Sequence, residues 1–133
     1  MAGLGSGSTA AAQLLAVAIG AVLGAVLRWR LSLWLNGAWH GFPLGTLLVN
    51  CAGGLLIGLA MVWFVRNPNE SMRLLVVTGL LGSLTTFSTF SAESLALLQR
   101  GHLALASLHT LVHVLGSLGS AAIGFAIGRH VWH

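Results

Sequence analysis

The 133-residue chain contains no lysine, no tyrosine and only two acidic residues, Glu70 and Glu93. Charged side chains make up 6% of it and hydrophobic ones 56%, whereas an ordinary soluble domain carries about 25% charged residues. That balance excludes a water-soluble globular fold and describes one small membrane domain. Six arginines against two acids leave a formal charge of +4. The arginines lie singly at loops and helix ends and form no basic patch, so a nucleic-acid partner is not indicated. The one cysteine, Cys51, falls inside an apolar run; it has no intramolecular partner and reads as a small buried hydrophobe. Also missing are a nucleophile with a base beside it, a carboxylate pair, a glycine-rich phosphate loop after a strand and a redox dithiol, which argues against an enzyme. The N-terminal stretch MAGLGSGSTAAAQ has neither the positive region nor the cleavage site of a signal peptide and is expected to be retained.

What the chain does have is apolar length. A helix needs about 20 mostly apolar residues to cross a hydrocarbon core of about 30 Å, and four segments qualify, at about 13–35, 44–65, 74–98 and 103–128. The predicted fold is therefore an all-α membrane protein of four transmembrane helices. Turn chemistry separates the spans at 36–43 (NGAWHGFP), 66–70 (RNPNE) and 99–101 (QRG), and both prolines fall in these breaks. Small residues recur at four-residue spacing in Gly20 and Gly24, in Gly54 and Gly58, and in Ser120, Gly124 and Gly128. That spacing lets helix backbones approach closely where lipid offers no hydrophobic drive for association. Four helices of this size enclose little interior, so a pore or site is expected to need a second copy of the chain.

Charge bears on orientation. With both termini on one side of the membrane, that side carries Arg66, Arg73 and Arg129 and the other carries Arg28, Arg30 and Arg100. Orientation follows the Lys/Arg excess, and three against three leaves none. Insertion in both orientations is expected, with opposed copies pairing as an antiparallel dimer, the oligomeric counterpart of inverted-repeat transporters. The alternative is that helix packing or assembly factors fix one orientation.

The stretch 79–94, GLLGSLTTFSTFSAES, breaks the apolar rule in mid-span. Polar or irregular backbone at that depth must be buried in protein or line a cavity. A helix interrupted between about Gly82 and Thr86 would free carbonyls able to hold a hard cation such as sodium; an unbroken helix with hydroxyls bonded back one turn is the alternative. Phe87 and Phe90 share a helical face with Ser88 and Ser91 beside them. Their ring edges are electropositive and suited to an anion, although two phenylalanines at this spacing are more often packing residues. Asn50 brings amide donors into the second span, as an anion contact or as glue between helices.

Glu93 is the one acid within a span and a functional candidate on that ground; its bland reading is a partner for Arg100 or the membrane interface. His109, His113 and Ser117 recur every fourth residue of the fourth span as a polar stripe. Two histidines at that spacing can share a metal ion, but with no third ligand expected nearby, a hydrogen-bonded track is the preferred reading. His40, His102, His130 and His133 are loop or terminal residues.

Three motifs, GAVLGAVLRW (20–29), GTLLVNCAGG (45–54) and TGLLGSLTTFSTFSAES (78–94), together resemble the CrcB/Fluc family of bacterial fluoride channels, and the likeness extends through all four spans. The resemblance implies a dual-topology antiparallel homodimer in the bacterial inner membrane, with two fluoride pores and a structural sodium ion at its centre. It implies backbone carbonyls of Gly82 and Thr85 as sodium ligands, and Asn50, Phe87, Phe90 and Ser117 in the pore. Thr46, Ser88, Ser91, His109 and His113 are expected along the same path. Arg28 and Glu93 match further family positions. His109 and His113 stand where many relatives carry tyrosine and serine; an imidazole gains a positive charge at mildly acidic pH, so flux is expected to change between about pH 5 and 8. Two rivals remain. A proton-coupled multidrug exporter would need an acid deep in the first span, which is lacking, and a non-transporting assembly subunit would tolerate Leu or Ile at Phe87 and Phe90.

Overall fold

The computed structural model describes residues 4–36 and 42–132. His40, His133 and residues 37–41 of the first break lie outside the described residues. All regular structure among the described residues is helical. In chain order it comprises α1 (Leu4–Leu35), α2 (Leu44–Arg66), α3 (Glu70–Arg73), a π-helical segment (Leu74–Leu81), α4 (Gly82–Leu84), α5 (Phe87–Gln99) and α6 (Leu103–Val131). Four helical stretches are long and apolar enough to cross a membrane: 9–35, 44–66, 70–99 and 103–131. At 1.5 Å per residue the 23 residues of α2 extend about 34 Å and the 29 of α6 about 44 Å. The chain is a multi-pass membrane protein.

Capping explains where these helices begin. Asn36, just past the end of α1, accepts a 2.7 Å bond from the Gly45 N–H through its side-chain oxygen, satisfying one of the orphan donors at the start of α2. Asn69 caps α3 by accepting from the Met72 N–H at 3.0 Å, and Glu70 pairs with Arg73 on the exposed surface of the same turn. Between α5 and α6 the chain turns at Gly101, whose φ of +76° is the left-handed conformation that a glycine adopts without strain.

Packing follows the small residues. Helix α2 lies along α6, and α1 lies along the π-helical segment. A Cβ at Gly124 would collide with the carbonyl oxygen of Leu55, and one at Gly58 with that of Ala121. Only glycine at these two positions permits such close α2–α6 contact.

The usual distribution of polarity is inverted. Leu14, Trp34, Val65, Leu115 and Leu118 are among many large apolar side chains on the outside, whereas Thr46, Thr86, His109 and His113 are buried. Outward apolar surface suits lipid or another protein surface, and inward polar groups mark function in a membrane interior. The purely apolar core is small, centred on Val49, Leu81 and Leu84.

Candidate functional site

The site is built where the third span changes course. In the π-helical segment the N–H of Gly82 bonds to the carbonyl of Val77, five residues back, a geometry frequent at functional sites in helices. After α4 the backbone is extended at Thr85 (φ −77°, ψ 154°) and at Thr86 (φ −149°, ψ 115°), and α5 begins at Phe87. In a continuous α-helix the N–H of Thr86 would bond to the carbonyl of Gly82, and that of Thr89 to the carbonyl of Thr85. Both donors go elsewhere. The Thr86 N–H is donated to Oδ1 of Asn50 at 2.8 Å, and the Thr89 N–H to the Thr86 hydroxyl at 3.1 Å, as an N-cap. Asn50 completes a reciprocal pair by donating from Nδ2 to the Thr86 carbonyl at 3.1 Å. An amide side chain on α2 thus replaces the helical bonding of one residue of the third span.

Beside this junction lies a cleft of about 590 Å³. Asn50, Gly82, Thr85, Phe87, Phe90, His113 and Ser117 are among its wall residues, so most of the pore and carbonyl residues named from sequence come together. The two phenylalanine rings are 5.5 Å apart. Phe87 is 79% exposed and Phe90 only 9%, because Phe90 lies against both imidazoles, 5.3 Å from His109 and 4.9 Å from His113. The hydroxyl of Thr85 donates to the Leu81 carbonyl, and that of Ser91 to the Phe87 carbonyl. Ser88 is exposed beside the Thr86 hydroxyl.

The remaining candidates are not on the cleft wall. Arg28 is half-buried on α1. Thr46, Glu93 and His109 form a second cluster behind Phe90: the Thr46 hydroxyl donates to Glu93 Oε1 at 2.6 Å, and His109 Nε2 is 3.4 Å from Glu93 Oε2. Here the structure corrects two sequence-based expectations. Glu93 faces Thr46 and His109 rather than Arg100 or the interface, and the histidine pair does have a third potential ligand. The hairpin between α5 and α6 is the reason. Glu93 lies eight residues before Gly101 and His109 eight after it, so an antiparallel pair of helices turning there sets them at the same height. That symmetry about the turn is the signal in the sequence that could have found the contact.

The sequence matches the model for "CrcB-like protein, Camphor Resistance (CrcB)" over residues 15–125. The chain belongs to the CrcB-like family. Relatives carrying the name "Fluoride-specific ion channel FluC" include one from Marinobacter nauticus, 51% identical over 115 residues, covering 85% of this chain and 91% of the relative. Another, from Aromatoleum aromaticum, is 54% identical over 114 residues, covering 84% and 87%. A third, from Thiobacillus denitrificans, is 51% identical over 113 residues, covering 84% and 91%. These CrcB-like proteins are named as ion channels, and the family is not enzymatic. The matched region includes the Asn50–Thr86 junction and every wall residue of the cleft named above.

Proposed function

We propose that this CrcB-like protein is a fluoride-selective channel that lets fluoride leave the cytoplasm passively, lowering its toxicity. The observation that carries the reading is the cleft where an amide, two phenylalanine ring systems, an imidazole and a hydroxyl meet around interrupted backbone. The ion is inferred from the names of relatives about half identical in sequence. Fluoride is small and strongly hydrated, so a pathway must replace its water with several donors and still release it. The Ser117 hydroxyl, the second N–H of the Asn50 amide and electropositive ring edges do so more gently than a buried arginine.

The working unit in this reading is an antiparallel dual-topology homodimer with two pores, in the bacterial inner membrane. Balanced arginines support it by removing any charge bias in insertion. The exposure of Phe87 supports it as well, since a second copy would cover that ring. The third span acts as a broken helix whose Gly82 and Thr85 carbonyls, with their helical donors diverted, bind a structural sodium ion together with those of the second copy. Backbone oxygens are the ligands a hard cation prefers, so the residues present fit the ion, which would fix the two interrupted spans to one another.

Passive conduction has a direct electrical test. In planar bilayers with a tenfold fluoride gradient and equal pH on both sides, the current is expected to reverse near the fluoride equilibrium potential, about 59 mV for a singly charged ion. Imposing a pH gradient should leave that reversal potential unmoved. A shift that tracks the pH gradient would replace the channel with a proton-coupled exchanger.

A further inference from the structure

We propose that Glu93, His109 and His113 form a site for a divalent transition-metal ion of the zinc type, within the membrane span and against the wall of the cleft. One ligand atom from each of the three lies within 4.8 Å of the others. Glu93 Oε2, His109 Nε2 and His113 Nε2 are all buried without a hydrogen-bond partner, in a site where the two histidines are 0% and 3% exposed. Three unpartnered polar atoms turned toward one another inside a membrane protein carry a high desolvation cost. A hydrogen bond between Glu93 and His109, even if made across 3.4 Å, leaves His113 Nε2 unsatisfied. A divalent cation satisfies all three.

The outer bonds prepare the ligands for this role. His113 Nδ1 donates to the His109 carbonyl at 3.0 Å, since a carbonyl can only accept, and a neutral ring so fixed presents a lone pair at Nε2. His109 Nδ1 meets the Ser94 hydroxyl at 3.0 Å. Glu93 Oε1 accepts from Thr46, leaving Oε2 for the ion. Metal-binding histidines are held in this way, with the second ring nitrogen bonded to a carbonyl, carboxylate or water that sets the tautomer. The 3.4 Å between His109 Nε2 and Glu93 Oε2 matches one edge of a tetrahedron with bonds of about 2.0–2.1 Å, the zinc–ligand length for nitrogen and oxygen; the other separations, which reach up to 4.8 Å, shorten as the ion is bound. Two imidazoles and one carboxylate suit zinc, cobalt or nickel better than magnesium or calcium.

Three protein ligands leave the fourth position of a tetrahedral ion open, and His113 belongs to the cleft wall. An ion held there adds a fixed positive charge to the path and can take fluoride as its fourth ligand. Fast conduction requires weak binding, so metal occupancy is expected to slow fluoride release. That consequence rests on the fluoride-channel reading, whereas metal binding does not.

The test uses the purified full-length protein in detergent, with any affinity tag removed, titrated with Co²⁺ as a coloured stand-in for Zn²⁺. The expected result is one Co²⁺ per chain, with the intense visible bands of four-coordinate cobalt, displaced by Zn²⁺. Glu93→Gln and His113→Ser should each weaken binding at least a hundredfold in protein that remains helical and monodisperse. X-ray absorption on zinc-loaded wild-type protein needs no variant. Two imidazole nitrogens and a carboxylate oxygen at about 2.0–2.2 Å are expected, and a shell of six oxygens would overturn the site. Absence of the cobalt bands, or bands that persist in a His109→Tyr/His113→Ser double variant, would also overturn it. Protein that binds cobalt but, freed of metal, releases no fluoride upholds the metal site and rejects the pore reading instead.

Discussion

Phe87→Ile reduces fluoride efflux from proteoliposomes at least tenfold, about 1.4 kcal/mol of barrier, while costing the fold of the protomer itself no more than about 0.5 kcal/mol. The split follows from where the ring sits. Phe87 is 79% exposed at the cleft, so its replacement removes almost no protomer packing, and an aliphatic side chain lacks the electropositive edge that an anion meets on an aromatic ring. Phe90→Ile gives a different pair of results. It lowers flux at least as much, and it also costs about 1–3 kcal/mol of stability, because this ring is 9% exposed and lies over both imidazoles. If the two phenylalanines are packing residues only, the pattern inverts: Phe87→Ile is silent and Phe90→Ile acts through stability alone. Efflux and thermal unfolding measured on the same preparations, with dimer content followed by size-exclusion chromatography, separate the two accounts.

Asn50→Ala is expected to have the largest effect on both stability and flux. Its side chain satisfies the N–H and the carbonyl of Thr86 at once, and Thr86 is buried. Each buried backbone group left unsatisfied costs about 1–3 kcal/mol. Loss of both therefore destabilises the protein by about 2–6 kcal/mol, reduced where water from the cleft reaches the junction. Flux falls with it, since the extended backbone at Thr85 and Thr86 no longer has its partner. Asn50→Asp is the informative companion. It keeps an acceptor for the Thr86 N–H but loses the donor and adds a negative charge at the cleft, so stability falls less than in Asn50→Ala and anion flux falls as much. An Asn50→Ala protein that melts and conducts like wild type would show that the pairing is incidental.

Much of this was legible in the sequence, for identifiable reasons. The spans are marked by long, mostly apolar runs, and lipid leaves the backbone few alternatives to a helix at such lengths. Residue-level ends were less legible. Beyond the spans expected at about 13–35 and 103–128, helix α1 extends back to Leu4 and α6 on to Val131, because neither end carries a proline that would stop it earlier. The hydroxyl-rich stretch after Gly82 stood out by composition, and Asn50 by being an amide in a span. Their pairing across 36 residues did not, because it depends on how α2 lies against the third span. The same limit hid the bond between Thr46 and Glu93, 47 residues apart. Periodicity places side chains on the faces of one helix and is silent about the neighbour each face meets.

The cleft beside the Asn50–Thr86 pair is expected to pass fluoride and exclude chloride, and flux of the two anions from one liposome preparation tests this. Purified protein is reconstituted in liposomes loaded with equal potassium fluoride and potassium chloride. A potassium ionophore then relieves the voltage, and release of each anion into dilute buffer is followed with ion-selective electrodes. Rapid fluoride release with chloride retained is expected. Chloride released alongside fluoride, or no release of either from well-folded protein, would overturn the fluoride-channel reading.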